Sequence, residues 1–145
     1  MGCTKSRLVY FFIYSMDQWI IIRDKKPEIP WWNPKRKTRT ANLYEYSASL
    51  INKMDEEIQE LEQAHIQWDR ELVLEECADV YEVWLCRQYS WSGVGLFYPR
   101  VKQIADHYAI SEEEVAAKAS EKRSTHGSFQ EGILLDLATV LSDKK

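Results

Sequence analysis

A chain of 145 residues with 45% hydrophobic content is long enough to bury one core, and 19 Lys+Arg against 23 Asp+Glu leave a formal charge of −4. That balance excludes the broad basic footprint of a general nucleic-acid binder, so a polyanionic ligand would need a local basic site or a metal. Low Gly and Pro content and a long Glu/Gln/Leu/Ala-rich middle point to helices, and three cysteines without CxxC spacing argue against a disulfide framework and fit a reducing cytosol.

Residues 1–18 read as an apolar N-terminal extension. The start, MGCTKS, fits the short Met-Gly-x-x-x-Ser pattern for myristoylation, with Cys3 next to it as a palmitoylation site. So short a pattern recurs by chance, and the expectation is a cytoplasmic protein without a membrane anchor. The apolar run from Leu8 to Tyr14 is too short to span a bilayer, and Asp17 interrupts it. No cleavage-site pattern marks a secretory signal.

Ile20, Ile21 and Ile22 predict an extended piece leading into RDKKPEIP, where Pro27 and Pro30 stop any helix. WWNPKRKTRT then reads as a loop carrying Lys35, Arg36, Lys37 and Arg39, ordinarily a solvated charge run.

From Asn42, an N-cap with Glu45 three residues later, the pattern turns helical. Leu43, Tyr46, Leu50, Met54, Ile58 and Leu61 recur at three- and four-residue steps, which predicts one apolar stripe on a helix ending near Gln63. AHIQWD is the expected turn. A second helix follows from about Arg70 to Tyr89, apolar over an arc wide enough for burial on more than one side. On it, Cys77 and Cys86 are half a turn out of phase and cannot bridge each other.

SWSGVGLFYP reads as a loop before a third helix near Arg100. Ser111 ahead of Glu112, Glu113 and Glu114 caps another helix, which carries Val115, Ala116 and Ala119 and the cations Lys118, Lys122 and Arg123. Gly127 is its natural stop, and a last short helix is expected from about Gly132 to Leu141. The expected fold is all-α: an antiparallel bundle of four to five helices over residues 19–145, with the N-terminal arm outside it.

Glu57 and Glu60 on the first helix, and Glu76 and Asp79 on the second, each stand at i and i+3, so each pair shares one helix face. Both pairs are centred on Trp68, in the expected turn. In an antiparallel hairpin they therefore lie at one height, about 12 Å from the turn at 1.5 Å per residue. Four carboxylates converging there repel unless a cation neutralises them. Hard oxygen donors without His or Cys select Mg²⁺, or Mn²⁺, over Zn²⁺.

Taken singly, ExxE is common on solvated helix faces; two such pairs mirrored about one turn among apolar neighbours predict a metal site. A Mg²⁺ so held takes phosphate oxygens as further ligands, polarises the phosphoryl group and activates water for in-line attack. Lys53, one turn before Glu57, is on the correct face to meet phosphate, and Lys122 and Arg123 close the later helix, where they also suit its dipole.

At these residues the chain resembles the all-α nucleoside-triphosphate pyrophosphatase superfamily, with its ExxE, spacer, ExxD motif. That superfamily includes the MazG-like house-cleaning enzymes, and the small phosphoribosyl-ATP pyrophosphohydrolase-like proteins are the branch nearest in pattern. The matching segments are IIIRDKKPEIP at 20–30, KMDEEIQE at 53–60, EECADVYEV at 75–83 and KRSTHGSFQEGILL at 122–135.

The resemblance implies that Glu57, Glu60, Glu76 and Asp79 bind Mg²⁺ and serve catalysis. It implies cleavage of the α–β phosphoanhydride of a nucleoside triphosphate or phosphoribosyl-nucleotide to a monophosphate and pyrophosphate, as in house-cleaning enzymes. Arg23, Asp24 and Lys25 would then shape the nucleotide pocket, Lys122 would meet phosphate, and the chain would assemble as a homodimer or homotetramer.

Departures from the pattern are residues 1–15 ahead of Met16, Lys26 before the proline, the inserted QYSWSGVGLFYPRVKQ, and His126 where Arg is usual. The alternative reading is a non-catalytic helical interaction module on the same fold, its acidic face binding a partner protein.

Overall fold

A computed structural model describes residues 19–25, 37–88 and 99–138. Among these, four helices dominate: α1 (Leu43–Ile66), α2 (Arg70–Gln88), α3 (Pro99–His107) and α4 (Glu112–His126). They are joined by a small antiparallel sheet of β1 (Trp19–Ile22), β2 (Thr38–Thr40) and β3 (Ile133–Asp136), ordered β1-β3-β2.

The start of α1 is fixed by a reciprocal capping box. The Asn42 side chain accepts from the Glu45 backbone N–H at 2.8 Å, and the Glu45 carboxylate accepts from the Asn42 N–H at 3.1 Å. Arg39 from β2 binds the same carboxylate with both terminal nitrogens, at 2.7 and 2.6 Å, and lies over the Trp19 ring. Sheet and helix start are thus tied together. α1 runs beyond its expected end to Ile66, and the turn follows at once. There Trp68 takes φ 57 with 72% of its surface exposed, an unusual backbone for so bulky a residue.

Leu50, Met54, Leu61 and Ala64 of α1 share one core with Val73, Leu74, Cys77, Val80, Val83 and Cys86 of α2. The breadth of apolar surface on α2 has the expected cause: α1 packs on one side and α4 on another. Val101, Ile104 and Ala105 of α3 and Val115 of α4 close the same cluster. α4 begins on Ser111, whose hydroxyl accepts from the Glu114 N–H at 3.1 Å, and stops at Gly127.

The all-α expectation holds for the predominant helices and fails at the sheet. Residues 133–136, expected within a last short helix, form β3, with Ile22 opposite Ile133 and Trp19 opposite Asp136. A short apolar run does not by its periodicity distinguish a buried helix from a strand, and β3 is decided by partners far away in sequence. β1 and β2 satisfy its backbone on both edges. Helical conformation appears only at 137–138, and 139–141 lie outside the described residues.

Thr38–Thr40, expected as loop, pairs with β3. Ile20–Ile22 is extended as predicted. The expectations for the arm at 1–18, for Pro27, Pro30, Lys35 and Arg36, and for the loop at 90–98 fall outside the described residues. Cys77 and Cys86 are both buried and free, and no helix among the described residues is long and apolar enough to cross a membrane.

A candidate metal centre in the helix hairpin

The antiparallel pairing of α1 and α2 brings Glu57, Glu76 and Asp79 together, each offering a carboxylate oxygen within 4.8 Å of the others. All three are at least nine-tenths buried. Glu60, one turn further along α1, forms a second group at the same spacing with Glu57 and Glu56. Glu57 belongs to both groups and is their hinge.

Glu56 was not singled out by the mirrored spacing, because it lies about 100° around the helix from Glu57. The signal that would have found it is Lys53. That ammonium stands 3.5 Å from Glu56 and 3.4 Å from Glu57, bridging both from one turn earlier.

Burial beside like charges favours the protonated form of Glu57. Desolvation pushes the Glu57 carboxyl up to about 8; Asp79, Glu56 and Glu76 push the same way, and Lys53 opposes them. Its Oε2 is buried with no hydrogen-bond donor among the described residues. A buried, under-satisfied carboxylate facing two others across a helix pair is relieved by a divalent cation. The donor set is all oxygen, so these residues fit Mg²⁺ or Mn²⁺.

The predicted substrate cations separate into two sets. Arg23 at the end of β1 and Lys122, just ahead of the last turn of α4, both reach Asp79 Oδ1, at 2.8 and 2.6 Å. With Lys53 they ring the acid cluster. Arg123, in contrast, turns to Glu82 on α2, with Nε 3.0 and 3.1 Å from its two oxygens and Nη2 2.6 Å from Oε1. Lys118 stands 3.8 Å from Glu75 and from Glu121, neither of them in the two acid groups.

Asp24 and Lys25 form a clasp on the end of α4. Asp24 Oδ1 accepts from the Ser128 N–H at 3.0 Å, its own N–H donates to the Ser128 carbonyl, and the Lys25 N–H donates to the His126 carbonyl. The Lys25 side chain is exposed.

Gly127 makes this clasp possible. Its φ of 83 suits glycine, and a Cβ there would overlap Asp24 Oδ1 and come within 2.7 Å of the Lys25 nitrogen. The Gly127 carbonyl in turn accepts from Arg23 Nη1 at 2.6 Å, which aims the guanidinium at Asp79.

Glu82, 1% exposed, is the second residue missed. It accepts from Arg123 and from the Ser128 hydroxyl, and Ser128 also lies 3.3 Å from Cys86 Sγ. Its signal is a lone carboxylate inside VYEVWLC, a stretch buried on several sides, where a charge requires a partner. Burial pushes the Cys77 thiol up to about 12 and raises that of Cys86, which disfavours the thiolate at both positions.

No family model, curated protein or solved structure matches the chain.

Proposed function

We propose that the chain is a Mg²⁺-dependent nucleotide pyrophosphohydrolase, splitting the α–β phosphoanhydride of a nucleoside triphosphate or phosphoribosyl-nucleotide into a monophosphate and pyrophosphate. The observation that carries this reading is the convergence of Glu57, Glu76 and Asp79 from two helices, buried and ringed by Lys53, Arg23 and Lys122. An acid centre with a basic rim suits a cation bound together with a polyanion, and the motif resemblance supplies the reaction.

Glu57, Glu76 and Asp79, with Glu60 alongside, would hold the cation. When bound, Mg²⁺ supplies charge neutralisation and polarisation of the phosphate oxygens. The protein's own part is placement. Lys53, Arg23 and Lys122 approach from α1, from the end of β1 and from α4, so phosphate oxygens bound at the acids would have cations from three elements within reach. Burial on the hairpin lowers the local dielectric and strengthens each of these contacts. Assembly into a homodimer or homotetramer belongs to the same reading and is measured by sedimentation.

The test is pyrophosphate release from a panel of standard and damaged nucleotides with Mg²⁺ present. Release from at least one nucleotide, abolished in Glu57→Gln, is expected. Absence of release from every nucleotide overturns the reaction and leaves the helical interaction module.

A further inference from the structure

Asp79 Oδ1 is met by two cations at once, and they are held differently. Arg23 is fixed at three points: Nη2 on Asp79 at 2.8 Å, Nη1 on the Gly127 carbonyl at 2.6 Å, and the guanidinium 5.0 Å from the centre of the Phe129 ring. Phe129 is itself buried, and Gly127 is locked by the Asp24 clasp. Moving Arg23 off Asp79 would disturb the junction of β1 with the end of α4.

Among the described residues Lys122 has no such anchorage. Its ammonium lies 2.6 Å from Asp79 Oδ1 at the end of a flexible four-carbon stem, and the side chain is 20% exposed. A divalent cation held by Glu57, Glu76 and Asp79 needs an oxygen of the carboxylate that Lys122 now neutralises.

We propose that Lys122 is an exchangeable counter-ion that competes with the divalent cation for Asp79, whereas Arg23 is a fixed positioning residue that holds Asp79 in place for it. This rests on the metal-site reading above and adds an order of events. Arrival of the cation frees the Lys122 ammonium at the rim, where its remaining attraction is to an anion. Cation binding therefore creates the phosphate contact, and phosphate binds second. No covalent bond changes in this exchange.

Calorimetric titration of Mg²⁺ into the full chain and its variants tests the proposal, with thermal melts to establish that each variant folds. Lys122→Met should bind Mg²⁺ roughly tenfold more tightly than the parent. At saturating Mg²⁺, it should bind inorganic pyrophosphate roughly tenfold more weakly. Arg23→Met should bind Mg²⁺ more weakly, and Arg23→Lys, which keeps the charge without the two-pronged geometry, should do the same if the Met variant does not fold. Lys118→Met removes a cation of the same helix that pairs with Glu75 and Glu121, and should leave Mg²⁺ affinity within about twofold.

Unchanged or weaker Mg²⁺ binding in Lys122→Met, with the parent binding normally, overturns the exchange and leaves the metal site standing. An equal gain in Lys118→Met also overturns it, since the effect would then be one of general charge. A gain in the Arg23 variants overturns the division of roles. No Mg²⁺ binding by the parent overturns the metal-site reading itself.

Discussion

Glu57 on α1 and Asp79 on α2 present carboxylate oxygens within 4.8 Å of each other, both acids buried and each paired with a lysine, Lys53 and Lys122 respectively. Two ionised acids at that spacing are tolerable only while countercharge is present. Removal of one acid should therefore have opposite effects on the chain alone and on its complex with a cation. In EDTA at pH 8.5, Glu57→Gln should melt about 5 °C above the parent, because an amide is buried more cheaply than a carboxylate. With Mg²⁺ present the order should reverse. Differential scanning calorimetry reads both, and a variant stabilised by Mg²⁺ as much as the parent would remove Glu57 from the site.

The same residue sets a pH dependence. The folded chain keeps the Glu57 proton to about pH 8, against 4.5 for a free glutamate side chain. The folded state thus binds more protons than the unfolded one between these values, so its contribution to stability is complete below about 4.5 and lost as pH rises through about 8. Urea unfolding in EDTA should show this decline. Since the carboxylate must lose its proton to bind a cation, Mg²⁺ binding near neutral pH should release up to about one proton, measurable as a dependence of binding heat on buffer ionisation enthalpy.

Glu82 carries a structural load away from the acid cluster. Glu82→Ala removes the partner of Arg123 and of Ser128 in a buried position, and should cost about 3 kcal/mol in urea unfolding. Glu82→Leu combined with Arg123→Met should recover most of that loss, since neither charge then remains unmatched. Equal instability in the double variant would show that the pair does more than neutralise itself.

Gly127→Ala should cost about 2 kcal/mol or more, from strain at positive φ and from overlap with Asp24 and Lys25. The displaced Gly127 carbonyl would also release Arg23. Mg²⁺ affinity should fall together with the melting temperature, and a variant losing stability alone would uncouple the clasp from the site.

The helical part of the fold was legible because its signals are local. Asn42 with Glu45, Ser111 with Glu114, and Gly127 mark helix ends through contacts spanning only a few residues, and all three are where they were expected. The acid pairs were legible for a related reason: two helices joined by one tight turn have a register that spacing alone defines.

The sheet was not, because β3 depends on strands distant in the chain, and Ile133–Asp136 taken alone suits a helix as well. Arg123 shows a further limit. It neighbours Lys122 in sequence, but about 100° of helical rotation sends one to Glu82 and the other to Asp79. Which of two adjacent cations serves a site is decided by what faces it.

The five acids at 56–79 and Lys53 all lie within one helix hairpin, whereas Arg23 directly follows β1 and Lys122 comes from α4. Hairpin contacts are local and form early in folding, while β1 must find β3 near the other end of the chain. If the hairpin forms first, the carboxylates meet before their distant countercharges arrive, and the folding barrier should contain a repulsion that Arg23 and Lys122 later reduce. Divalent cations should consequently speed refolding in stopped-flow experiments beyond what potassium does at equal ionic strength, because they supply early the charge that Arg23 and Lys122 deliver late.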